Sequence, residues 1–172
     1  MEQLADIAAA SGNIFDALTA TEKAADYYEA DSHSKSSFNN CLVKAGSLAA
    51  QSGEYTKAIS CFERAAQFFA PTLPFKSKSL VVDACFCHLG NDDLVSVKKS
   101  LQKYSELLTD FPNSREFTFL DALSEAITNH DSDKFASTIT DYDYVHRLQR
   151  WQVVILSKYQ QNEFVDSIED FS

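Results

Sequence analysis

The chain repeats itself. Ser11-Gly12-Asn13-Ile14-Phe15-Asp16-Ala17-Leu18 aligns with Ser52-Gly53-Glu54-Tyr55-Thr56-Lys57-Ala58-Ile59. Further on, Glu22-Lys23-Ala24-Ala25-Asp26-Tyr27-Tyr28 aligns with Glu63-Arg64-Ala65-Ala66-Gln67-Phe68-Phe69. The offset is 41 residues throughout, with no gap, and Ile7-Ala8-Ala9 against Leu48-Ala49-Ala50 extends it upstream. A third, looser copy opens at Gly90, 37 residues after Gly53, and runs through Val97 and Leu101 to Tyr104. Each copy reads as a helix ending near Ala10 or Gln51, a glycine able to take the left-handed conformation that closes it, and a second helix. The second helix sets small Ala17 or Ala58 where helices approach closely. It then offers Ala24, Ala25, Tyr27 and Tyr28, or Ala65, Ala66, Phe68 and Phe69, as a mixed packing surface. One such pair exposes too much apolar surface to fold alone, so the pairs must stack.

This is the logic of a tetratricopeptide-like array, with longer helices than its usual period of about 34 residues requires. Four glycines and three prolines are too few for a many-stranded sandwich or barrel. With 45% hydrophobic and 23% charged residues, 172 residues can build a core as one domain or one compact array. The fold class expected is all-α: an antiparallel helical-hairpin array ending in a C-terminal helical bundle. Helices are expected at about 2–10, 14–30, 34–51, 55–70, 75–89, 92–109, 113–129, 132–146 and 148–165. Pro71 and Pro74 bracket one break, Asn113 and Ser114 after Pro112 offer a cap for the helix beginning near Arg115, and His130-Asp131-Ser132-Asp133 separates the next two. The organisation expected is repeats over 1–110, a packed bundle over 111–165 and an exposed acidic tail over 166–172.

Fifteen basic against 25 acidic residues leave a net charge of −10, which disfavours nucleic acid as a partner. No apolar run approaches the ~20 residues of a membrane-spanning helix. The opening Met1-Glu2-Gln3-Leu4-Ala5-Asp6 is acidic, so no signal or transit peptide is visible. Cys41, Cys61, Cys85 and Cys87 read as reduced thiols in helices. Cys85-Phe86-Cys87-His88 lacks the second ligand pair that zinc requires, so no metal or cofactor is expected. His33, His88, His130 and His146 are scattered, and neither a phosphate-cradling glycine loop nor a nucleophile elbow is present. An enzyme is not expected. The basic residues fall in sets: Lys35 with Lys44, Lys76 with Lys78, Lys98 with Lys99 and Lys103, and Arg147 with Arg150 and Lys158. They read as a solvated surface, or as one set lining an edge that meets an acidic helical partner.

The C-terminal half carries a further pattern: Ser114-Arg115-Glu116, Tyr142-Asp143, then Arg147-Leu148 with Trp151 behind. With Ala24-Ala25-Asp26-Tyr27-Tyr28, Asn40-Cys41-Leu42-Val43-Lys44, residues 55–58 and Cys87-His88-Leu89, in that order, it resembles the C-terminal portion of the alpha-SNAP family. Members of that family are soluble adaptors between SNARE complexes and the hexameric AAA ATPase NSF. The resemblance implies an adaptor in vesicle fusion and intracellular transport, cytoplasmic and peripheral at vesicle or target membranes through its SNAREs. It also implies a form lacking the family's N-terminal repeats and membrane-touching loop. Lys44 and Lys78 fall on family lysines, and with Lys76 they make the implied SNARE-binding set. Asn40 and Asp83 stand where the family commonly carries further lysines. Asp166, Glu169, Asp170 and Phe171 fall on the family's NSF-binding, ATPase-stimulating end, with Phe171 in the place of a leucine. The alternatives are a generic tetratricopeptide-like scaffold or a competitor of longer adaptors.

Overall fold

A computed structural model describes residues 14–29 and 34–164. Among them lie eight α-helices, one 3-10 turn and no strand. They are α1 (Ile14–Glu29), α2 (Lys35–Gln51), α3 (Tyr55–Phe69), α4 (Pro74–Gly90), α5 (Leu94–Leu107), α6 (Arg115–Thr128), α7 (Ser132–Val145) and α8 (Arg150–Phe164), with the 3-10 turn at Phe111–Asn113. The all-α reading holds, and each described helix falls within a few residues of its expected place. The expected helix at 2–10, the closing Gly12 and the tail at 166–172 lie outside the described residues. The chain forms two compact units that divide between Asn91 and Asp92.

In the first unit α1 packs on α2, α2 on α3 and α3 on α4, so each helix lies against its successor as an array of hairpins demands. Helix α3 shows why. Ala58, Phe62, Ala65, Ala66 and Phe69 recur at helical spacing and are all buried, while Lys57, Ser60, Arg64 and Gln67 face solvent. Helix α2 buries a stripe of small residues, Cys41, Ala45, Gly46, Ala49 and Ala50. At Gly46 a β-carbon would come within 2.8 Å of the Phe62 ring, so only glycine allows α2 and α3 to approach this closely. Residues 80–87 of α4 are buried on every side, Cys85 and Cys87 included. Ser77 fastens α4 to α3 by donating its hydroxyl to the Ala66 carbonyl at 2.8 Å.

The second unit relies on caps and rings. Asp93, Ser114 and Asp131 each accept a backbone N–H at the start of α5, α6 and α7. Of the pair Asn113 and Ser114 that the sequence offered, Ser114 is the cap. Phe111 is fully buried and meets Tyr104 and Phe117 edge-on, which anchors the 3-10 turn between α5 and α6. Phe119 of α6 stacks on Tyr142 of α7 at 3.9 Å between ring centroids. Asp143 accepts the Leu148 N–H at 2.8 Å, and Trp151, Ile155, Leu156 and Tyr159 form the buried stripe of α8.

The repeat continues further than the residue matches show. Gly53 has φ +83° and ends α2 with a paired closure: its own N–H bonds Ala50, and the Glu54 N–H bonds Ala49. His130, at φ +52°, ends α6 in the same way, through Ile127 and, from Asp131, Ala126. Asp92, at φ 56°, follows α4. The left-handed positions thus fall 39 and 38 residues apart. The third copy is therefore in step at Asp92 and not at Gly90. Gly90 is the last residue of α4, and it is small because the Tyr55 ring would lie 2.7 Å from a β-carbon there.

Candidate functional site

The implied basic set gathers on helices α2 and α4. Lys44 lies one turn beyond Asn40 on α2, so the two share a face. Asn40 is the side chain to which α4 reaches: the Lys76 ammonium donates to Asn40 Oδ1 at 2.7 Å. The same ammonium sits 3.9 Å from the centre of the Phe69 ring. Lys76 is therefore held in place by a carboxamide on one helix and an aromatic face on another, and its side chain gives up little further freedom on meeting a partner. Lys78 is two residues further on and takes a different direction. Its ammonium lies 5.3 Å from the centre of the Phe75 ring.

The structure thus brings Lys76 to the strip of Lys44 and sends Lys78 to a neighbouring patch. That patch contains two residues that sequence reasoning passed over. Phe75, in the first turn of α4, is 83% exposed, and Leu73, immediately before α4, is 50% exposed. Two large apolar side chains in solvent, rimmed by lysines, mark a contact surface more sharply than the lysines do. The signal was in the sequence, since Leu73-Pro74-Phe75 puts apolar residues at the start of a helix, where a connection is ordinarily polar.

The departures from the implied pattern fall differently. Asn40 is part of the strip, as the acceptor for Lys76. Asp83 is buried, at 7% exposure, so it does little to the surface charge. Among the other basic sets, Lys98 donates to Thr128 at 3.3 Å and Lys103 lies 5.7 Å from the Tyr104 ring centre. The implied NSF-binding residues Asp166, Glu169, Asp170 and Phe171 lie outside the described residues.

The cysteines are packing residues. Cys41, Cys85 and Cys87 are buried free thiols and Cys61 is half-buried. Burial raises the Cys85 and Cys87 thiols far above their ordinary range, with smaller contributions from nearby acids and, at Cys87, from Cys85. Cys61 is raised too, first by burial and then by Glu22. Among the described residues no three His, Cys, Asp or Glu side chains are grouped to hold a metal ion.

The family described as "Soluble NSF attachment protein, SNAP" matches residues 1–163. Beta-soluble NSF attachment protein of Bos taurus is 35% identical over 142 residues, covering 81% of this chain and 47% of that protein. Alpha-soluble NSF attachment protein of Mus musculus is 34% identical over 142 residues, covering 81% and 48%. A probable vesicular-fusion protein sec17 homolog of Schizosaccharomyces pombe is 31% identical over 144 residues, covering 83% and 50%. The chain spans about half the length of the curated relatives it matches.

Proposed function

The chain belongs to the soluble NSF attachment protein family, and from that premise we propose that it is a non-enzymatic adaptor between SNARE helices and an NSF-type ATPase in vesicle fusion. The observation that carries the reading is the surface on α2, α4 and the turn before α4. There a fixed lysine, Lys76, is bonded to Asn40 one helical turn from Lys44, and Lys78 lies by exposed Phe75, with exposed Leu73 two residues before it. Cations around apolar side chains suit an amphipathic helix with acidic flanks, which is the chemistry of a SNARE bundle. ATP binding and hydrolysis belong to the partner. The acidic end, Asp166, Glu169, Asp170 and Phe171, supplies carboxylates and one aromatic ring for a basic groove on the ATPase.

The test is NSF ATPase activity on immobilised chain, which provides avidity, with and without residues 169–172. Stimulation that vanishes with those residues is the expected result. Binding without stimulation would make the chain a competitor of its longer relatives. Neither binding nor stimulation would leave a helical scaffold for some other peptide.

A further inference from the structure

The second unit holds an open cleft of about 430 Å³ between α6, α7 and the 3-10 turn. That volume falls in the range, roughly 300–1,000 Å³, of sites that take a ligand or a few side chains. One wall is apolar and aromatic. Tyr142 stacks on Phe119 and on His146, the latter at 5.2 Å between ring centroids, and Val145 stands beside them at 50% exposure.

The polar lining divides in two. Ser114 and Thr118 are occupied within the fold: the Ser114 hydroxyl donates to the Phe111 carbonyl and accepts the Phe117 N–H, and Thr118 donates to the Ser114 carbonyl. The side chains of Asn113, Arg115, Thr138 and Asp141 make no hydrogen bond or ion pair among the described residues. Arg115 and Asp141 line the same cleft with opposite charges and do not pair with each other. His146, also in the lining, is stacked on Tyr142. A guanidinium and a carboxylate in one cleft with an aromatic wall suit an occupant that brings its own acid and its own base together with an apolar group.

We infer that this cleft is a peptide-binding site that takes an amphoteric segment of a partner protein: an acidic side chain on Arg115, an aromatic or large aliphatic side chain against Tyr142 and Val145, and a basic side chain on Asp141. Asn113 and Thr138 supply a carboxamide and a hydroxyl for the segment's main chain. The formal charges of the lining cancel, so recognition here comes from local pairing and not from the long-range steering that a lysine surface gives. The site is separate from the surface on α2 and α4 and does not depend on the identity of the partner bound there.

The probes are two capped tripeptides, aspartyl-phenylalanyl-lysine and lysyl-phenylalanyl-aspartate, titrated into the full chain with residue-resolved amide NMR. At least one is expected to give saturable shifts at Arg115, Thr138, Tyr142 and Val145, with a dissociation constant on the order of 1 mM. Replacing phenylalanine by alanine in the peptide, or introducing Arg115→Glu, Asp141→Lys or Val145→Ser in the chain, should each weaken that binding about tenfold. Lys99→Ala should leave it unchanged. These variants change exposed side chains, and circular dichroism confirms that each is folded. The inference is overturned if neither peptide saturates, if the shifts map outside the cleft, or if the charge reversals leave the affinity as it was.

Discussion

Backbone conformation at one residue decides how each hairpin closes. Gly53 holds φ +83° with nothing within 4 Å of the place a β-carbon would take. A Gly53→Ala substitution therefore tests backbone strain alone, free of any clash. It should cost about 1 kcal/mol, read as a lower urea midpoint with an unchanged slope. Gly46 is the opposite case, a glycine in ordinary helix with the Phe62 ring against it. Gly46→Ala should cost about 1–3 kcal/mol through overpacking, and pairing it with Phe62→Leu should recover part of that loss. The thiols give a third test. The folded state keeps Cys85 and Cys87 protonated, while the unfolded chain releases those protons above an ordinary pKa of 9.0. The native state then binds more protons than the unfolded one, so stability falls as pH rises beyond 9. Tyr55, raised first by burial and then by Cys87, adds a loss of the same sign above 10.0. Urea unfolding at pH 8 and pH 10 checks the sign. Alkylation of the native chain should reach Cys61 before the other three cysteines.

Individual helices owe their positions to different forces in the two units. Among α2, α3 and α4 no side chain caps the first turn, and packing sets the boundaries. In the second unit α5, α6 and α7 each begin on a side-chain cap. Asp131→Ala removes the bond to the Lys134 N–H, and Ser114→Ala the bond to the Phe117 N–H. Each should cost about 1 kcal/mol. Phe62→Ala, at a fully buried position of α3, should cost about 3–5 kcal/mol. Thermal unfolding separates these two classes of effect. The motif residues behind the family resemblance are partly structural: Ser114 starts α6, and Asp143 and Trp151 shape the passage from α7 to α8.

Across the whole molecule, a chain with a net charge of −10 presents cations on α2 and α4 beside bare aromatic surface. On the proposed adaptor reading, binding of an acidic SNARE bundle should therefore weaken as salt screens the lysines, while the contribution of Phe75 persists. Charge reversal at Lys76 and Lys78 together is expected to lower affinity at least about tenfold at low salt and less at high salt. Phe75→Ser should lower it at both. A pull-down or biolayer series at two ionic strengths distinguishes the two behaviours, and equal loss for all variants at both salts would remove the electrostatic part of the reading.

The all-α class and the hairpin order were legible because both follow from local periodicity. An apolar stripe every three to four residues, and small residues where helices meet, are properties of the chain itself. The Ser114 cap and the Gly53 closure were legible for the same reason: each is a contact within a few residues. The true phase of the third repeat was not, because Asp92 and His130 adopt the left-handed conformation without being glycine. Nor could sequence tell that Asn40 would receive Lys76 from 36 residues away, that Asp83 would be buried, or that Arg115 and Asp141 would share a cleft unpaired. Each of those depends on which helix faces arrive at the same place. That is fixed by packing between elements, where sequence distance carries no information.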